Sequence, residues 1–346
     1  MTRIGMCTGW SVFALLAACP RPDAESLERK LERAAEAGFS GAVSITSNGE
    51  RLIERGYGLA NRERRSANTA GTAFDVGSIL KVFTALGIYT LQEAGELNVT
   101  DRLGELLPDV PPDKASITLR DVLLHRAGFA EYHDTEGDFE PMTREEARAR
   151  ILAEPLLFAP GSDEAYSNSG YTLLADIIEA VSGTSYTDYI RQAVFAKAAM
   201  TESGFYSESV WRSVPTAVGY GAETFQDNDP ASWPYTWSLM GNGGLVTTVR
   251  DLDRFAVALW DERILGAAQL DAFRREYLSS GAARVDGETV YAAAGAGDYG
   301  LGGVLIDVPG RRLRIAIASN TYDAFDIESF AQDLLVWLLT REPRNR

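Results

Sequence analysis

Two pairs of strand-like runs stand at opposite ends of this 346-residue chain, each pair joined by a tight-turn signal. Near the start, Ala42-Val43-Ser44-Ile45-Thr46-Ser47 leads through Asn48-Gly49 into Arg51 to Tyr57. Asn-Gly between such runs is a strong hairpin signal, because both residues accept the left-handed backbone of a two-residue turn. Near the end, Leu301 to Val308 and Leu313 to Ala318 are split by Pro309-Gly310. A helical period flanks each hairpin on its outer side. Residues 24–37 carry Leu27, Leu31, Ala34 and Ala35 and close at Gly38; Tyr322 to Thr340 carries Phe330, Leu334, Leu335 and Leu338 on one face. The chain therefore begins helix–hairpin and ends hairpin–helix. From about residue 78 to 260 the pattern is mostly helical and broken by Pro/Gly loops. The simplest assembly is an α+β fold. An antiparallel sheet of five or more strands is built from both chain ends (about 24–75 and 245–342) and flanked by helices, with a mostly helical region (about 76–244) inserted.

Charge and composition narrow the function. Lys and Arg number 33 against 49 Asp and Glu, a net −16. Such a chain is repelled by phosphate backbones, which argues against nucleic acid as a partner. Two histidines, His125 and His133, and two cysteines, Cys7 and Cys19, are too few for a Cys- or His-rich zinc site, and no calcium-loop spacing appears. No metal or organic cofactor is expected. Gly295-Ala296-Gly297-Asp298-Tyr299-Gly300 satisfies G-x-G-x-x-G, but strand-like residues follow it where a dinucleotide site needs a helix.

Residues 1–18 read as a signal peptide: Arg3, then an apolar run from Trp10 to Ala18, too short to span a bilayer. Leu16-Ala17-Ala18-Cys19 resembles a bacterial lipobox, which implies cleavage before Cys19, lipidation of its thiol and a short tether over 19–23. The expectation is an exported lipoprotein, a monomer held to a membrane on the periplasmic or surface side by its N-terminal lipid. The alternative is a plain signal peptide with an incidental cysteine.

Within Phe74-Asp75-Val76-Gly77-Ser78-Ile79-Leu80-Lys81, Ser78 and Lys81 are three apart and share a face of any helix that opens there. A serine hydroxyl needs a base beside it, and lysine serves when burial depresses its pKa. Lys81 sits in an apolar run, an odd place for one of only four lysines. The bland reading makes Ser78 a helix cap and Lys81 a snorkelling surface residue. Farther on, Tyr166-Ser167-Asn168 follows the turn signal Pro160-Gly161. A phenol relays protons, and an amide orients an amine or a carbonyl.

Together these segments resemble the serine β-lactamase and penicillin-binding-protein superfamily, on its class C β-lactamase, esterase and D-peptidase branch. Ser78 and Lys81 match S-x-x-K, and Tyr166 and Asn168 match Tyr-x-Asn. Asp121 to Gly128, Ser169 to Leu174, and Gly243 to Thr248 with Asp251-Leu252 extend the likeness over about residues 25–342. The resemblance implies that Ser78 is acylated, that Lys81 and Tyr166 share acid–base work, that Asn168 positions substrate, and that His125 is structural. In the family a third motif, Lys or His, then a small residue, then Gly, lines the site on an edge strand. Counted back from Gly300, its positions here are Ala294, Gly295 and Ala296, so the cation is missing. The implied oxyanion hole is the backbone amides of Ser78 and Gly297.

The expected function is a serine hydrolase acting through a Ser78 acyl-enzyme on a small-molecule or peptide substrate, an ester before an amide or β-lactam. The alternative is a non-catalytic member of the fold that binds cell-wall peptide or protein. Two further stretches stay open. The acidic run Glu131, Asp134, Glu136, Asp138 and Glu140 around His133 is either a solvated loop or a rim that selects a cationic substrate. The aromatic run Trp233, Tyr235 and Trp237 either walls an acyl pocket or packs on the helical region.

Overall fold

The computed structural model describes residues 26–341, apart from 209, 211, 212 and 222–228. The signal peptide, Cys19 and the tether lie outside the described residues. The first helix, Leu27–Glu36, ends in a Schellman arrangement: Phe39 N–H reaches Ala34 O (2.9 Å) and Gly38 N–H reaches Ala35 O (3.1 Å). Gly38, one residue past the cap, takes the positive φ of 110°. Strands β1 (Gly41–Ser47) and β2 (Glu50–Tyr57) then pair across Asn48 and Gly49, both at positive φ (51° and 84°) as a two-residue hairpin turn requires. Leu59–Asn61 (β3) and Ser66–Ala67 (β4) form a second, short hairpin.

The two ends of the chain meet at a seam. β1 pairs antiparallel with β11 (Leu313–Ser319), placing Val43 opposite Ile317 and Ile45 opposite Ile315. β11 pairs with β10 (Gly302–Val308), β10 with β9 (Glu288–Ala296), and β9 with β8 (Ala283–Val285). The sheet has six strands in the order β2-β1-β11-β10-β9-β8. The architecture is α+β, as the pattern predicts.

Alternation splits the sheet into two packing faces. Val43, Ile45, Val304, Ile315 and Ile317 point to one side, against Leu31 of the first helix and Leu334, Leu335 and Leu338 of the last. Ala42, Leu305, Ala316 and Ala318 point to the other, where the Val249–Trp260 helix lies on β1 and β11 and the inserted region begins. The last helix starts at Ile327, five residues after the predicted Tyr322, because Asp326 caps it and accepts the Ser329 N–H (2.9 Å). A three-stranded sheet of β5 (Phe74–Asp75), β7 (Leu245–Thr247) and β6 (Gly204–Phe205) ties the entrance of the inserted region to its exit. Leu80 to Leu91 of the Leu80–Ala94 helix are buried, which makes this helix the axis of that region.

Leu334 is fully buried between the sheet and the last helix. Leu334→Ala is expected to cost about 2–5 kcal/mol of stability, read as a lower urea midpoint with an unchanged slope.

Candidate active site

The chain leaves β5 at Asp75 and turns sharply at Gly77, whose φ of +51° is left-handed. A Cβ at residue 77 would collide with the backbone oxygen of Ala296, so glycine is required twice over. One turn of 3₁₀ helix, Gly77–Ile79, carries Ser78 into the buried helix. Ser78 makes no capping bond there, which removes the bland reading of it.

Lys81 lies one turn on and is 4% exposed. Its Nζ donates to Ser78 Oγ (3.0 Å), Asn168 Oδ1 (2.7 Å) and the backbone oxygen of Asn242 (2.8 Å). The ring faces of Tyr166 and Tyr171 stand 4.9 and 5.6 Å from it. Burial pushes the Lys81 pKa below its ordinary value, while Tyr166, Asp138 and Glu131 pull it back up.

The second segment arrives by a helix cap. Ser167 caps the Asn168–Ser182 helix by accepting the Gly170 N–H (2.9 Å), which sets Tyr166 and Asn168 on either side of the cap. Tyr166 Oη is 2.6 Å from Ser78 Oγ. His125 holds the tyrosine in place: its ring stacks on Tyr166 at 4.8 Å, and its Nδ1 accepts the Ser167 N–H (3.1 Å). Burial, with help from the Lys81 charge, lowers the His125 pKa to about 3, so the imidazole is neutral and able to accept that bond.

Strand β9 corrects the predicted third motif by one residue. The Gly297 N–H donates to Leu301 O (2.9 Å), so it is spent on the ladder and does not face Ser78. Alternation turns the Ala296 N–H and C=O the other way, towards Gly77. Side chains follow the same parity. Ala294 pairs with Val304, which faces the terminal helices, whereas Ala293 and Gly295 face the inserted region. A Cβ on Gly295 would strike Val76 O and Ser78 N, so Gly295 is the close-approach glycine. The motif is therefore Ala293-Ala294-Gly295 followed by Ala296, not Ala294-Gly295-Ala296 followed by Gly297. In either frame the cationic position is alanine.

Two participants escape a sequence reading. Asn242 contributes a backbone oxygen, so its side chain carries no signal beyond the Gly-rich turn around it. Asp75 is 1% exposed and accepts the Gly77 N–H through Oδ1 (2.9 Å). The acidic loop is only partly solvated. Glu140 pairs with Arg150 and His133 is fully buried, while Glu131 and Asp138 are half-buried within the field of Lys81. Burial raises both carboxyl pKa values and Lys81 lowers them. The aromatic run is a packed loop: Trp233 is buried and contacts Phe139 (5.2 Å) and Tyr299 (5.4 Å), the latter just beyond β9. Among the described residues no group of three or more His, Cys, Asp or Glu is placed to hold a metal.

Comparison with known proteins gives a consistent picture. The family profile described as Beta-lactamase matches residues 27–334. The putative penicillin-binding protein PbpX of Bacillus subtilis (strain 168) is 34% identical over 229 residues, covering 66% of this chain and 57% of that protein. The D-aminopeptidase of Brucella anthropi is 27% identical over 285 residues, covering 80% of this chain and 51% of that protein. The chain thus spans little more than half the length of these curated relatives. Among solved structures, the octameric penicillin-binding protein homologue from Pyrococcus abyssi superposes with a TM-score of 0.77 at 26% identity, over 91% of this chain and 77% of that one.

His125 makes stability depend on pH. The unfolded chain takes up its proton near pH 6.5, whereas the folded chain holds it off to about 3. Stability should therefore fall as pH drops through that window. Asp307, whose burial raises its pKa to about 7, acts in the opposite sense, so the variant comparison isolates the histidine. Unfolding free energy measured from pH 7 to 4 should fall less steeply in His125→Gln than in the wild type.

Proposed function

This chain belongs to the Beta-lactamase family, and from that membership we propose that it hydrolyses esters through an acyl-enzyme on Ser78. The observation that carries the reading is the set of partners around Lys81 Nζ. A neutral lysine amine has two N–H bonds and one lone pair. The carbonyls of Asn168 and Asn242 take the two N–H bonds, which leaves the lone pair on the Ser78 hydroxyl. Burial lowers the Lys81 pKa and so favours that neutral form, in which the Ser78 hydroxyl donates to Nζ.

The steps follow from this geometry. Lys81 takes the Ser78 proton as Oγ attacks the acyl carbon. The oxyanion is held by the N–H groups of Ser78 and Ala296. Collapse expels an alcohol, which receives a proton from Tyr166, and Tyr166 recovers one from Lys81. Water then attacks the acyl-enzyme, giving its proton to the same pair, and Ser78 leaves with its hydroxyl restored.

Ester is favoured over amide because an alkoxide needs less proton assistance than a departing amine. With alanine at position 293, no side chain there holds a substrate carboxylate, which disfavours β-lactams. Glu131 and Asp138 near Lys81 suit an acyl group that bears an amine. The name of the D-aminopeptidase relative supports the same direction, towards aminoacyl esters or amides. An exported, Cys19-lipidated form is part of this proposal. The missing cation also favours a second reading, a non-catalytic binder of cell-wall peptide or protein.

A fluorophosphonate probe should label the wild type and not Ser78→Ala, and failure to label folded wild type selects the binding reading. Nitrophenyl acetate and nitrophenyl alaninate should turn over, the alaninate faster, and a chromogenic cephalosporin hardly at all. Acylation should speed up with pH as Lys81 deprotonates. Glu131→Gln with Asp138→Asn should move that rise to lower pH, because it removes negative charge that holds the proton on.

A further inference from the structure

The oxyanion hole joins two amides from distant parts of the chain, Ser78 at the mouth of the inserted region and Ala296 at the end of β9. Their spacing has to be set by something at the junction. A buried carboxylate stands there. Asp75 Oδ1 accepts the Gly77 N–H (2.9 Å) and Oδ2 accepts the Tyr206 hydroxyl (2.8 Å). Residue 297 has no room for a side chain, because its Cβ would collide with that same Oδ2. Residue 77 has none either, because its Cβ would collide with Ala296 O. The two glycines mark opposite sides of one close approach, with the carboxylate wedged in it.

This placement has physical content. A charge-assisted bond to Gly77 N holds a backbone turn that is left-handed at φ +51°. Gly297 in turn is locked to Leu301, the residue just before β10, through its own N–H on Leu301 O. Asp75 thus bears on the turn that aims one amide and on the residue next to the other. Burying a carboxylate is costly, and its bonds to Gly77 and Tyr206 offset that cost.

We propose that Asp75 is a positioning residue whose carboxylate pins the Gly77 turn against Gly297 and thereby sets the spacing of the Ser78 and Ala296 amides around the oxyanion. The inference rests on the Ser78 acyl-enzyme reading and adds to it a residue outside the S-x-x-K and Tyr-x-Asn pairs. Preorganised donors act on the transition state more than on the bound substrate, so the effect falls on kcat.

The test compares ester hydrolysis by the wild type, Asp75→Ala, Asp75→Asn and Gly297→Ala, each checked for folding by near-UV circular dichroism. Asp75→Ala should lower kcat by about 10²–10³, as loss of one oxyanion donor does, with KM changed no more than about threefold. Asp75→Asn keeps an oxygen for Gly77 N and should recover kcat to within about tenfold of wild type. Gly297→Ala displaces the carboxylate from the other side and should give the same kcat-selective loss, which keeps the test open if Asp75→Ala does not fold. Folded Asp75→Ala or Gly297→Ala with wild-type kcat overturns the proposal, as does a loss shared equally by Asp75→Ala and Asp75→Asn. If the wild type has no turnover and no fluorophosphonate label, the acyl-enzyme reading fails instead.

Discussion

The hydrogen bond between Lys81 and Ser78, 3.0 Å long, with its lysine end buried and its serine end half-buried, is the constraint from which the rest of the structure can be understood. An amine in bulk water is protonated at neutral pH and useless as a base. Here a helix buried from Leu80 to Leu91 carries it into the interior, and two carbonyls and two tyrosine rings replace its water. Tyr166, Asn168 and Tyr171 come from one short stretch and Asn242 from another, both far along the chain from Lys81. The inserted region has to be folded as a whole before the amine has its environment.

The sheet plays the complementary part. Its seam zips residues 41–46 to 314–319, so the chain ends are fixed to each other and the inserted region is held at both its entrance and its exit. β9 then lies against the Gly77 turn with glycine at 295 on its side of the contact. Two backbones meet closely there, and the amides of Ser78 and Ala296, which belong to no side chain, are set in place by that approach. Around them the charge pattern is distinctive: β9 carries Ala293 where the third motif has a cation, and Glu131 and Asp138 act electrostatically on Lys81.

Much of this was legible in the residues. Asn48-Gly49 and Pro309-Gly310 announced the two hairpins because turn chemistry is local. Leu334, Leu335 and Leu338 announced a buried helical face because burial repeats every turn. Ser78, Lys81, Tyr166 and Asn168 stood out through type and spacing, and the structure brings all four into one hydrogen-bonded cluster. β9 was harder to read. Its run Ala292-Ala293-Ala294-Gly295-Ala296 has no polar–apolar alternation, so nothing in it tells one face from the other, and a one-residue slip follows.

The sequence by itself determined the two terminal hairpins with their flanking helices, the chemistry of the candidate nucleophile and the absence of a cation from the third motif, since each of these depends on residue identity or on neighbours within a few positions. Tertiary structure alone decided which strand amide faces Ser78, that Asn242 lends a backbone oxygen to Lys81, and that Asp75 touches both Gly77 and Tyr206. Those are contacts of backbone atoms, or across more than a hundred residues of chain. Every residue but proline has the same N–H and C=O, and only register and packing distinguish one from the next.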